Sequence, residues 1–199
     1  MKAKLSTIAV LFTLTLLPVA ADAGTILATG STWEYTFSDP TADATWNTTG
    51  GAGWLTGTAP FGNNCCAGDG FDFATLWPAD GSDGDDLWVR KTVDFTGFDL
   101  SSISWNLGVD NGFKLYLNGA LISSANEEGY TFKWEYSGAF PAVLSGTNIV
   151  AVALEDHGGL TAFDMQVTGN AVPDVASTLT LLLTGLGVLG VGYNRSRSR

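Results

Sequence analysis

Two Asn-Gly pairs, Asn111-Gly112 and Asn118-Gly119, bracket the apolar-polar run Phe113-Lys114-Leu115-Tyr116-Leu117. Asn-Gly takes positive φ at little cost, and the type I′ turn it then forms has the twist of two paired strands. The pairs therefore predict a three-stranded meander: one strand before Asn111, one over residues 113–117, and one over 120–122. The flanking segments carry the same period. Ile103, Trp105, Leu107 and Val109 alternate with Ser104, Asn106 and Gly108, as on a strand with one buried face. Leu87, Val89, Val93 and Phe95 alternate with Trp88, Arg90, Thr92 and Asp94, with Lys91 interrupting the apolar face. Residues 148–154 and 161–167 read as two more strands, joined by a turn at His157-Gly158-Gly159. No amphipathic helix period and no internal repeat of solenoid length is visible between the two ends of the chain. Antiparallel strands without helices imply a sandwich or a barrel, and the expected fold is an all-β, jelly-roll β-sandwich.

The two ends read differently. Lys2 and Lys4 precede an apolar run from Leu5 to Leu17, followed by Pro18 and Ala21-Asp22-Ala23. A basic start, a short apolar core and small residues at Ala21 and Ala23 form the pattern cut by signal peptidase, which would leave Gly24 first. The run is shorter than the ~20 apolar residues of a spanning helix. At the other end no charge occurs from Val175 to Tyr193, and Arg195, Arg197 and Arg199 follow. That segment is long enough to cross a hydrocarbon layer of ~30 Å. Its arginines belong on the cytoplasmic side, which places the preceding chain outside. The expected organisation is a signal peptide over residues 1–23, a β-domain over 24–171 and a membrane segment over 172–199.

Charge narrows the partners. The chain carries a formal net charge of −11, and the cations of its central part are Arg90, Lys91, Lys114 and Lys133. Nucleic acid is excluded as a partner, because its phosphates would be repelled. The run Asp80-Gly81-Ser82-Asp83-Gly84-Asp85-Asp86 offers hard oxygens on flexible backbone. Asp80, Asp83, Asp85 and Asp86 are therefore candidate Ca²⁺ ligands, with Asp69 or Asp72 as further donors. The competing reading is a solvated acidic loop, since EF-hand spacing and its closing Glu are missing. Cys65 and Cys66 are adjacent and match neither a C-x-x-C redox pair nor a zinc set.

Of the 7 tryptophans, Trp105 lies on an apolar strand face and belongs to the core. Trp46, Trp77 and Trp134 sit in segments of poor period and are candidate sugar-stacking faces, weighed against ordinary core packing. Glu155-Asp156-His157 reads as a polar strand end, because consecutive strand side chains alternate faces. No Gly-x-Ser-x-Gly elbow is present. No catalytic residue is assigned, and the expectation is a non-enzymatic protein, with a hydrolase of extracellular polysaccharide as the rival.

The run Trp54-Leu55-Thr56-Gly57-Thr58-Ala59-Pro60-Phe61-Gly62 resembles the W-x-x-G-x-A-P-h-G segment of galactose-binding-like domains. Leu87-Trp88-Val89-Arg90-Lys91 is similar to their Arg-bearing strand. Asp110 through Gly119 is similar to D-x-G-h-x-h-h-x-N-G, and Gly146-Thr147-Asn148-Ile149-Val150-Ala151-Val152 to G-x-N-x-h-A-V. The resemblance spans Trp33 to Val167 and implies a jelly-roll sandwich without specifying a ligand. The tail, with Val172-Pro173-Asp174 before the apolar segment and the arginines, resembles the PEP-CTERM sorting signals of Gram-negative bacteria in a Val-Pro-Asp variant. That resemblance implies cutting by an exosortase-type membrane protease near the motif. The protein would be held transiently in the inner membrane, then reach the cell surface or exterior. A matrix role follows, with the sandwich either binding extracellular polysaccharide or packing against matrix components without a ligand.

Overall fold

The computed structural model describes residues 23–49, 53–63, 72–78, 86–126, 133–141 and 145–172. Ala21, Cys65, Cys66, Asp69, Asp80, Asp83, Asp85, Pro173, Asp174, Arg195, Arg197 and Arg199 lie outside the described residues, and with them most of the two end segments whose sequences read as a signal peptide and a sorting tail.

Among the described residues the chain forms β1 (Ala23–Leu27), β2 (Thr32–Thr36), β3 (Leu55–Thr58), β4 (Phe61–Gly62), β5 (Thr75–Leu76) and β6 (Leu87–Asp94). It continues with β7 (Ser104–Asp110), β8 (Gly112–Leu117), β9 (Ala120–Ala125), β10 (Tyr136–Ala139), β11 (Thr147–Glu155) and β12 (Ala162–Asn170). They build two sheets. The first runs β10-β7-β12-β4-β5 with β1 also along β12, and the second runs β3-β2-β6-β11-β8-β9. All the pairings are antiparallel except β4 with β5. The expected two-layer, all-β sandwich is the architecture found.

Strand alternation decides what lies between the layers. In the second sheet Val152 of β11 pairs with Val89 on one side and Leu115 on the other, and Leu154 with Leu87 and Phe113. In the first, Phe163, Met165 and Val167 of β12 pair with Val109, Leu107 and Trp105 of β7. These residues are buried and form one core with Trp33, Phe61 and Trp77. Trp33 meets Phe163 edge-to-face at 5.4 Å, the geometry that aromatic quadrupoles favour. Each such large apolar side chain contributes roughly 1.5–3 kcal/mol when fully buried. Lys91, which broke the apolar period of β6, carries its amine out of the layer to the Thr32 carbonyl at 2.6 Å.

The meander expectation requires a correction. Asn118-Gly119 closes the β8–β9 hairpin, with φ of 49° and 83° at its two residues. Asn111-Gly112 does not close a hairpin. β7 lies in the first sheet and β8 in the second, so the chain crosses the core at Asn111. Neither residue takes the positive φ of a type I′ turn. Instead Asn111 is buried, donates its N–H to the Glu155 carbonyl at 3.1 Å and accepts from the His157 N–H at 2.9 Å. The turn at His157-Gly158-Gly159, with φ of 94° and 96° at its glycines, makes another crossing, from β11 to β12. The two crossings are tied to one another side by side.

Candidate functional site

The outer face of the second sheet carries a second, smaller packed cluster. Trp88 and Arg90 alternate with core-facing Leu87 and Val89, and so point outward. Opposite them on β11 stand the small residues Ala153 and Ala151. The space these alanines leave is filled by the chain after β2, which lays Trp46 against Trp88 and Ala151, with Trp54 and Tyr116 at the margin. Trp46 meets Tyr116 edge-to-face at 5.4 Å and lies nearly parallel to Trp54 at 6.4 Å.

Arg90 locks this layer. Its Nε donates to Glu34 Oε2 at 2.7 Å, Nη1 donates to the Trp46 carbonyl at 3.1 Å, and its guanidinium lies 3.9 Å from the centre of the Trp54 ring. The side chain is buried at the sheet while Glu34 is half-exposed at the rim. The β2–β6 register, which sets Glu34 directly across from Arg90, makes the pair possible.

Beside the cluster runs an open groove of about 310 Å³. Trp54 and Gly53 form one wall. The turn after β2 forms the other, presenting Thr36, Ser38, Asp39 and Asp43. Both carboxylates are set by their own turns. Asp39 Oδ1 accepts from the Thr41 N–H at 2.8 Å, and Asp43 Oδ1 accepts from the Thr45 N–H at 2.9 Å and the Thr45 hydroxyl at 2.7 Å. Side-chain and backbone hydrogen bonds from Thr41 and Thr45 hold both acids below the usual carboxylate range, with a smaller contribution from Arg90 at Asp43. The groove thus joins an aromatic wall to hydroxyls and acceptor-only oxygens, which is the chemistry for gripping a polyhydroxylated ligand.

The tryptophans named from sequence as candidate sugar-stacking faces, with core packing as the competing reading, lie in three different places. Trp77 is 0% exposed in the main core, and its carbonyl accepts from the Thr161 hydroxyl at 2.7 Å, so its ring offers no face to a ligand. Trp46 is 6% exposed and serves as packing beneath the groove. Trp134 is half-buried, with Lys133 Nζ 5.1 Å from its ring, and Lys133 pairs at 3.2 Å with fully buried Asp164 of the first sheet. The three do not form one site. Trp54, Asp39 and Asp43 were not singled out as ligand contacts from sequence. Trp54 had figured only as the start of the Trp54–Gly62 motif, and Asp39-Pro40 carries no signal beyond that of a turn.

Of the proposed Ca²⁺ ligands and further donors only Asp72 and Asp86 are described; Asp72 is exposed, and Asp86 Oδ1 accepts from the Asp156 N–H at 3.1 Å. Among the described residues no group of three or more His, Cys, Asp and Glu is set to hold a metal. Glu155 and His157 do approach, at 3.7 Å, and Lys114 pairs with Glu155 beside a cleft of about 400 Å³. Glu155 is thereby occupied, and its hydrogen bond raises the pKa of Lys114.

No protein-family model matches the chain, and no curated protein matches it. Among solved structures it is similar to a β-glucuronidase from an uncultured Clostridium sp., at 10% identity and a TM-score of 0.49, over 78% of this chain and 31% of that one. A β-glucuronidase from Ruminococcus gnavus in complex with uronic deoxynojirimycin aligns at 14% identity and 0.48, over 77% of this chain and 30% of that one. A PA14 sugar-binding domain from an RTX adhesin aligns at 20% identity and 0.30, over 41% and 45%. The chain spans about a third of the length of the glucuronidases it matches.

Proposed function

We propose that this protein is an exported, non-enzymatic carbohydrate-binding module, a galactose-binding-like jelly-roll sandwich delivered to the cell surface or extracellular matrix. The observation that carries the binding is the groove beside Trp54. A sugar ring has an apolar face and a rim of hydroxyls. Trp54 supplies a flat apolar wall for the face, while Asp39, Asp43, Thr36 and Ser38 supply acceptors and donors for the rim. Arg90 holds the wall rigid before any ligand arrives, which lowers the ordering cost of binding.

Delivery rests on the ends of the sequence. Signal peptidase would act at Ala21 and Ala23, and an exosortase-type protease near Val172-Pro173-Asp174, with Arg195, Arg197 and Arg199 setting orientation. β1 and β12 pair from Ala23 with Asn170 onward, so the first and last strands of the described domain lie side by side.

A glycan array probed with the exported protein and its Trp54→Ala variant tests the binding. Retention on polysaccharide that disappears in the variant supports the groove. Equal retention by both proteins would refute it, and cleavage of the glycan would make the protein a hydrolase.

A further inference from the structure

Resting on the reading of the Trp54 groove as a glycan site, we propose that it selects sugars bearing a free amine, as in deacetylated hexosamine chains, over neutral and uronic sugars. The carboxylates alone would define nothing; the cavity of about 310 Å³ and its aromatic wall define the site, and the carboxylates set its preference. The ionisable groups lining the groove are Asp39 and Asp43, both acids. The Thr41 N–H falls on Asp39 Oδ1, and the Thr45 N–H and hydroxyl both fall on Asp43 Oδ1, which leaves Asp43 Oδ2 for a ligand donor.

Three physical terms favour an ammonium there. Both acids stay ionised to below the usual carboxylate range and accept without donating, so an N–H donor suits them better than a group that must also accept. Hydrogen bonds between ions are stronger than neutral ones. The indole ring attracts a cation within ~6 Å of its centre. Arg90 already lies 3.9 Å from the centre of the Trp54 ring and reaches Asp43 weakly, which works against an ammonium. Its pairing with Glu34 at 2.7 Å reduces that opposition, and Arg90 is not part of the groove lining. At longer range the net charge of −11 draws in a polycation and repels uronate chains. For two exposed ion pairs the expected preference is about five- to tenfold.

The test uses the whole exported protein and three oligosaccharides of equal length: a glucosamine oligomer, the same oligomer N-acetylated, and a galacturonate oligomer. Titration at mildly acidic pH, with the sugar amine protonated, should give the glucosamine oligomer the five- to tenfold advantage and the galacturonate the weakest binding. Molar salt should erase the advantage, and Asp39→Asn with Asp43→Asn should equalise the affinities of the amine and N-acetylated oligomers, whatever the pair does to binding of both. Equal affinity for the amine and N-acetyl forms, both lost in Trp54→Ala, would overturn the amine preference and leave the glycan site standing. Glucosamine binding unchanged in Trp54→Ala would mean attraction by bulk charge alone and overturn both. No binding of any of the three oligomers would likewise overturn both.

Discussion

The guanidinium of Arg90 lies 3.9 Å from the centre of the Trp54 ring while its Nη1 donates to the backbone carbonyl of Trp46. One buried side chain thereby joins a central strand to both flanks of a long loop. Planarity is what allows it, since a flat fork can stack and donate in its own plane at once.

Arg90→Lys should therefore loosen the loop. An ammonium cannot stack flat on Trp54 while donating to both Glu34 and the Trp46 carbonyl, and an unmet buried carbonyl costs about 1–3 kcal/mol. The denaturant midpoint should fall by that amount, and tryptophan fluorescence should shift to the red as Trp46 is wetted. A midpoint and spectrum equal to those of the parent would contradict the locking role.

Gly62→Ala should be among the costliest single-methyl additions. A Cβ there would stand 2.1 Å from Phe73 Cε1 and 2.6 Å from the Thr161 carbonyl, and the carbonyl belongs to backbone that cannot swing aside. Overpacking of this kind costs about 1–3 kcal/mol. Urea melts of the variant should show an earlier midpoint, with an unchanged slope if the native fold persists.

Acidification should destabilise the domain from the carboxylate side. Asp39, Asp43, Asp94 and Asp99 are each held below their ordinary value of 3.8, first by side-chain and then by backbone hydrogen bonds from Thr41, Thr45, Thr96 and Ser101. A folded pKa below the unfolded one contributes stability that is complete above 3.8 and lost as the pH falls through the lower folded values. Thermal melts should thus be flat in this term near neutrality and drop below about pH 4. Thr45→Val should flatten the drop, and a variant falling as steeply as the parent would exclude Asp43 as a contributor.

The sorting reading makes a prediction of its own. An epitope placed before Val172 should reach the cell exterior in the native host, and one placed after Arg199 should be separated from it. Replacing Arg195, Arg197 and Arg199 with glutamate should trap or misorient the precursor. Both epitopes on one full-length membrane species would reduce the tail to an anchor.

How far such features could be read in advance depended on their range along the chain. The alternation of Trp105, Leu107 and Val109 and the turn at Asn118-Gly119 were readable because each depends on a few neighbouring residues and on backbone freedom they carry themselves. The resemblance had marked the Arg-bearing strand, but not what Arg90 holds.

What the sequence determined by itself, then, was strand period, local turn chemistry and the lopsided charge. Tertiary structure decided the rest, because the same local signal admits more than one long-range partner. Asn111-Gly112 and Asn118-Gly119 are the same dipeptide, yet one closes a hairpin and the other crosses the core. The difference lies in Glu155 and His157, which claim the backbone and side chain of Asn111 from far along the chain. Trp77 and Trp54 likewise look alike in one dimension. Burial on all sides makes the first core, and a half-open seat on Arg90 at the outer sheet face makes the second a wall of the groove.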